Sequence, residues 1–242
     1  MVVDTAPSRR VRRRRDTLRE IKEVARRLLV ESGVHAVTLR GIAGEMGMSA
    51  PALYRYFASH EALVRGLVAD LYDELTATLE QARDQLQASS TGDQLIAVCH
   101  AFRGWSTEHP QEFGLVFANP VTGERHDDLS DLVEAAGQRF GAVFVTLFAT
   151  LWAQDGFPVP DPEVVAGRFT TRPGPVADPL PPGPSYVFLC CWARLYGAIA
   201  MEVFGQLAWA VDDLDPLFDD LMADLAVTLA LAGPDQRGSR GI

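Results

Sequence analysis

The chain is short of the features that mark several protein classes. It has 3 cysteines among 242 residues, too few for a disulfide framework. Cys190 and Cys191 are adjacent, so a bond between them would be strained; the three thiols read as buried and reduced in a cytoplasmic protein. Long apolar runs are missing as well. The longest charge-free stretch is roughly 140–153, shorter than a membrane span requires. A secretory leader needs an apolar core behind its basic start, and here Arg19, Glu20, Lys22, Glu23, Arg26 and Arg27 occupy that place. No repeat recurs at 20–50 residues, and no alternating strand pattern appears.

Signatures of catalysis are absent too. There is no Gly-x-Gly-x-x-Gly, phosphate-binding loop, Gly-x-Ser-x-Gly or His-Glu-x-x-His. The five histidines, at positions 35, 60, 100, 109 and 126, lack metal-ligand spacing, and the adjacency of Cys99 and His100 does not make a site. The pairs Asp127-Asp128 and Asp212-Asp213 sit at expected helix starts, where carboxylates favour the helix dipole. The chain therefore reads as a non-enzyme without catalytic residues, metal or cofactor.

What is present begins with charge. The formal net charge is −10, which on its face argues against a nucleic-acid partner. The average hides a division. Residues 1–67 hold 13 basic and 7 acidic residues, and residues 68–242 hold 9 basic and 25 acidic ones. A basic start joined to an acidic remainder suggests two jobs, with the basic part facing a polyanion. Six arginines fall among residues 9–15. Like charges at that density repel, so residues 1–15 are expected to be a disordered tail. Such a tail is either merely solvated or an arm that lies on phosphates or enters a minor groove.

The remaining periodicity is helical, and the expected fold is all-α. A first helix is expected over 17–32, with Thr17 and Glu20 as a capping box, a Leu18-Ile21-Val24-Leu28 stripe and Gly33 as its stop. Short helices follow from Thr38 to about 46 and from Ser49 to about 56, then a long one over about 61–87 with leucines at 63, 67, 71, 75 and 79. Later helices are expected near 93–107, 111–118, 128–154, 185–209 and 214–232, bounded by Pro110, Pro120, Pro216 and Pro234. Residues 155–184 hold 9 of the 15 prolines and read as a long loop with one helical turn near 163–169.

Residues 38–57 carry the function. Two short helices joined by a turn at Gly47 make a helix-turn-helix. Leu39, Ile42, Ala43 and Met46 form one inward face, and Met48, Leu53 and Phe57 face back from the second helix. Ala50, Pro51, Ala52, Tyr54, Arg55 and Tyr56 are left exposed. A helix of this size fits a major groove, and the hydroxyls of Thr38 and Ser49 stand at helix N-termini that hold phosphate.

These residues resemble the DNA-binding domain of TetR/AcrR-family transcriptional regulators. The likeness runs over residues 17–67: Ser32-Gly33, Val37-Thr38-Leu39-Arg40-Gly41-Ile42-Ala43, Gly47-Met48-Ser49, Leu53-Tyr54-Arg55-Tyr56-Phe57, then Ser59, Glu61 and Leu63. The resemblance implies a homodimer that binds a palindromic operator, most simply as a ligand-responsive repressor; an activator or a helical interaction module without DNA binding are the alternatives. It implies a DNA-binding domain at 16–62 and an effector-binding and dimerisation domain at 63–235. Thr38 and Arg40 would lie near phosphate, Ser49, Ala50, Pro51 and Tyr54 near bases, and Arg55, Tyr56 and His60 would complete the surface. His60 stands where such proteins usually carry a lysine. Trp192-Ala-Arg-Leu-Tyr196-Gly197 with Glu202, and Glu108-His109-Pro110 with Phe113 and Phe117, resemble one C-terminal subgroup, with Tyr196 in place of its histidine.

An effector pocket is expected between the later helices. Its candidate lining is Phe102, Trp105, Phe113, Phe117, Phe144, Phe148, Trp152, Trp192 and Tyr196, a set suited to a hydrophobic effector, with His100 and His109 as polar anchors. The dimer surface is expected on the helices at about 185–209 and 214–232, through Leu214, Leu217, Phe218, Leu221, Leu225 and Leu229, with intramolecular core as the alternative use of that stripe.

Overall fold

The computed structural model describes residues 9–118, 128–166 and 180–231. Among them are helices and turns and no strand, in agreement with the all-α expectation. Contacts gather into two compact units, Met1–Tyr72 with Gln111–Ala136, and Asp73–Pro110 with Gly137–Ile242. The boundary expected near residue 62 thus falls ten residues later, within an unbroken helix, and a later segment joins the first unit.

The first unit opens with helix α1, Arg9–Ser32. Its burial repeats at four-residue steps, Ile21, Ala25 and Leu29, which seats one stripe on the core. Gly33 stops it with φ +79°, its N–H bonded to the Leu29 carbonyl at 2.9 Å. The expected start at residue 17 is corrected. Residues 9–15 are helical, and Thr17 does not cap: its Oγ1 donates back to the Arg13 carbonyl at 3.0 Å. Arginine is a strong helix former and no glycine or proline separates residue 15 from 17, so the helix continues. Residues 1–8 lie outside the described ones.

A single 3₁₀ turn, Val34–Ala36, leads to α2, Leu39–Glu45, and α3, Ala50–Leu53. Helix α4, His60–Gln85, follows, with Ser59 Oγ accepting from the Ala62 N–H at 3.1 Å as its cap. The expected leucine row is buried throughout, Leu63, Leu67, Leu71, Leu75 and Leu79 each at 2% exposure or less. Helix α6, Pro110–Phe113, runs into a wide turn at Gly114–Ala118. It is held in this unit by Arg26, whose Nε donates to the buried Glu112 at 3.0 Å, and by the Phe117 ring, 5.7 Å from Tyr72. Lys22 pairs with Asp70 at 2.7 Å, and Arg27 with Glu45 at 2.7 Å, fixing α1 to α4 and to α2.

The second unit holds α5, Thr91–Glu108; the greater part of α7, Asp128–Gln154; α8, Pro162–Ala166; α9, Pro182–Val203; and α10, Asp215–Thr228. A capping box of Ser90 and Asp93 starts α5. The expected loop at 155–184 is shorter at its end, because prolines at 182 and 184 fit the first turn of α9. Of that stretch, residues 167–179 lie outside the described ones, as do Pro120 and Pro234. Helices α7 and α9 are long and apolar enough to cross a membrane by length and composition alone. Both supply this unit's core, through Phe140, Phe144 and Phe148 on one and Phe188, Leu195 and Ile199 on the other.

One ion cluster binds α5 to α9 and α10. Arg103 donates through Nε and Nη2 to both oxygens of Glu202, each at 2.7 Å, and through Nη2 to Asp215 at 2.7 Å. Its guanidinium lies 4.7 Å from the centre of the Phe218 ring. Hydrogen bonding to Glu202 raises the Arg103 pKa, so the cation is permanent.

Candidate nucleic-acid interface and effector cavity

The helix-turn-helix is built by three local devices. Thr38 is the N-cap of α2: its Oγ1 accepts from the Gly41 N–H at 3.0 Å. Gly41 has to be small here, since a Cβ would meet that oxygen at 3.0 Å and the Ala36 carbonyl at 3.3 Å. Gly47 turns the chain with φ +62°, while the Met48 N–H bonds back to the Ala43 carbonyl at 2.8 Å. Ile42, Ala43, Leu53 and Phe57 are then buried, and Met46 and Met48 half-buried.

That packing decides what α3 shows. Ser49, Pro51, Tyr54 and Arg55 are exposed, Ala50 and Tyr56 half-buried, and Thr38 and Arg40 exposed at the start of α2. Tyr54 is 56% exposed beside a fully buried Leu53. An aromatic of that size held in water by a rigid turn is positioned for a partner. Ser49 occupies the N-cap position of α3 without a side-chain cap bond. Regular helix ends at Leu53, short of the expected residue 56, and 54–57 continue as turns whose N–H groups bond to Ala50, Ala52 and Leu53. Glu61, at the start of α4, is held below its ordinary pKa, mainly by its hydrogen bond to Ser59.

His60 is exposed like most of the expected set, and it also has a backbone partner. Its Nε2 lies 2.6 Å from the Val37 carbonyl, so this nitrogen carries the hydrogen and donates. The ring links the start of α4 to the residue before the Thr38 cap. The sequence offered no signal for this bond, because its partner is a backbone atom 23 residues away.

In the second unit a small apolar cavity of about 20 Å³ lies among α5, α7, α9 and α10. Of the expected lining, Phe144, Phe148 and Trp192 border it. Phe102 lies behind them, stacked on Trp192 at 5.8 Å. Trp105 donates from Nε1 to Glu74 at 3.1 Å, Trp152 packs edge-on against Phe157 at 5.2 Å, and Tyr196 stacks on Trp192 at 6.1 Å. None of these three borders the cavity. Phe113 and Phe117 belong to the first unit, where their rings pack at 4.8 Å. The proposed anchors are elsewhere as well: His100 packs on Phe218 and His109 on Trp105.

The rest of the wall is Leu95, Ile96, Cys99, Phe188, Cys191, Leu195, Leu225 and Leu229. Their three- and four-residue spacings were visible, but aromatics drew attention away from aliphatics and thiols. Burial pushes the Cys99 thiol up to about 12 and Cys191 to about 11, so both stay protonated near neutral pH. Cys190, expected buried, is exposed. A second concavity, an open groove of about 360 Å³, runs between α4 and α7; it is lined by charge, including Arg83, Glu80 and the Arg139–Asp73 pair.

Residues 21–67 match the family described as bacterial regulatory proteins, tetR family, and residues 95–225 match the tetracyclin repressor-like C-terminal domain. The HTH-type transcriptional regulators Mb1846 of Mycobacterium bovis and Rv1816 of Mycobacterium tuberculosis are each 33% identical over 231 residues, covering 91% of this chain and 97% of theirs. The chain belongs to the TetR family. It is thus a DNA-binding transcriptional regulator of the helix-turn-helix type. Among solved structures, the regulatory protein SCO4313 is 31% identical, with a TM-score of 0.71 over 91% of this chain and 98% of that one. The family assignment covers α2 and α3, where Tyr54, Arg55, Ser49 and Pro51 are exposed.

Proposed function

We propose that this TetR-family regulator is a cytoplasmic, non-enzymatic repressor that binds a palindromic operator as a homodimer and is released by an apolar effector. The observation that carries the DNA reading is the pairing of a buried Leu53 with an exposed Tyr54 and Arg55 on a short helix that follows the Gly47 turn. Two copies would lay α3 in successive major grooves, about 34 Å apart. Thr38 and Arg40 would hold phosphate, and Ser49, Ala50, Pro51 and Tyr54 would approach base edges.

The effector reading rests on the cavity. Its wall is wholly apolar, which favours a ligand without charge. Its volume, about 20 Å³, is close to that of one water-sized sphere. An effector must therefore spread α5, α7, α9 and α10 to enter. That spreading is the source of coupling, since a ligand shifts an equilibrium only by binding two states unequally. Helix α4, which contributes to both units, is the element that would carry the shift. Exposed Met201, Phe204, Trp209, Leu217 and Val227 around α9 and α10 support pairing of two copies there.

The test is a titration against DNA from upstream of its own gene, at two salt concentrations with excess random-sequence competitor. Salt-sensitive binding that survives the competitor, by a dimer, is expected. Neutral aromatic and aliphatic compounds should then release it. Release by none of them, with intact operator binding, would remove the apolar effector.

A further inference from the structure

The first two turns of α1 contain six arginines, all exposed. Arginine favours helix by propensity, but the charge of this segment opposes it. Its guanidinium groups repel one another, its first turn holds no acid, and positive charge there opposes the helix dipole. Yet the segment is helical and is fastened beside α3. Arg14 Nη1 donates to the Arg55 carbonyl at 3.3 Å, and its guanidinium lies 5.3 Å from the centre of the Tyr56 ring.

We propose that residues 9–15 form a helical arm that adds a second, base-independent contact to the DNA backbone, beside the groove that α3 enters, through the face bearing Arg10, Arg13 and Arg14. This rests on the reading of α3 as the recognition helix. Dimensions choose between the backbone and the minor groove. A helix with side chains is about 10–12 Å across, and the minor groove is about 6 Å wide, so a helical arm stays outside it. Chemistry points to phosphate. The guanidinium fork matches two phosphate oxygens, and the exposed Arg55, whose carbonyl Arg14 holds, extends the same positive surface. Phosphate also answers the repulsion within the arm, so DNA should order the segment that opposes itself when alone.

Helix geometry says which arginines act. At about 100° per residue, Arg10 and Arg14 lie about 40° apart on the side held against Tyr56, with Arg13 about 60° from Arg10. Arg12 and Arg15 lie about 100° or more away from both. Two variants of equal charge therefore separate a directed contact from a diffuse positive cloud: Arg10→Ala with Arg14→Ala, and Arg12→Ala with Arg15→Ala. Alanine keeps the helix in both.

The probes are a duplex selected by the wild-type protein from a random pool, and a scrambled duplex of equal length. Affinity is measured by anisotropy between about 50 and 200 mM salt. The first variant should lower the salt slope by about 1.8 per subunit on both duplexes, two phosphates at about 0.9 each. The second should leave the slope within error of wild type. Equal losses from both variants, or none from either, would overturn the arm. Failure of the wild-type protein to prefer the selected duplex would instead overturn the recognition-helix reading, which keeps the two ideas separable.

Discussion

At the scale of single residues, neighbours on α3 have opposite tasks. Leu53 is fully buried and Tyr54 is 56% exposed. Leu53→Ala should cost about 2–5 kcal/mol by leaving a cavity beneath the turn, read as a lowered melting temperature with weakened DNA binding as a consequence. Tyr54→Ala should leave stability within about 0.5 kcal/mol of wild type and still remove operator binding, because it touches the partner and not the core. A Tyr54→Ala protein that melts early would place Tyr54 in the fold. Much at this scale was legible in the chain: Thr38 as a cap, Gly47 as a turn and Leu53 as core follow from local chemistry. His60 was not, since its donation to the Val37 carbonyl depends on how α4 returns past the loop before α2.

At the scale of elements, what sequence reading loses is the partner of each face. The apolar stripe on α10 was expected to meet a second copy. Phe218, Leu225 and Leu229 are instead buried within their own unit, together with Met222, whereas Leu217 is exposed and Leu214 and Leu221 are half-buried. Periodicity shows that a face is apolar and is silent on whether one chain or two cover it. The early start of α1 is not legible from charge alone, because the helix propensity of arginine outweighs the repulsion among residues 9–15. The thiols on α5 and α9 yield a test of the cavity wall. Burial pushes the Cys99 and Cys191 thiols up from their ordinary value near 9 to about 12 and about 11. Folding therefore holds their protons, and this contribution is complete below the unfolded pKa and lost as pH rises through the folded one. Each thiol should remove about 1.4 kcal/mol per pH unit above about 9, until its folded pKa is reached. Urea unfolding at pH 8, 9 and 10 should show the decline, and Cys99→Ala should make it shallower by about one thiol's share. An unchanged slope would mean that Cys99 reaches water in the folded state.

At the scale of the whole molecule, charge and exposed apolar surface are set apart along the chain. The basic residues gather before residue 68 and the acids after it, so the field of the protein presents one part to DNA and withholds the other. The acid-rich part also leaves Trp209 86%, Val227 79% and Leu217 52% exposed. On α10, Leu217, Asp220, Asp224 and Val227 follow one another at three- and four-residue steps, and Asp224 is bridged to Arg194 of α9 at 3.0 Å. This stripe, and not the buried one, is the exposed face of α10 through which the proposed pairing would run. Leu217→Glu with Val227→Glu places four like charges along it and removes its apolar ends. The variant should sediment as a monomer while keeping its helical circular dichroism, since neither side chain belongs to the core. Operator affinity should fall by about 10²-fold or more, because the second half-site is then met by an independent molecule and no longer by a tethered one. A variant that remains a dimer would move the interface to Met201, Phe204 and Trp209. A monomer with undiminished affinity would show that each subunit reads DNA alone, and the palindrome would lose its reason.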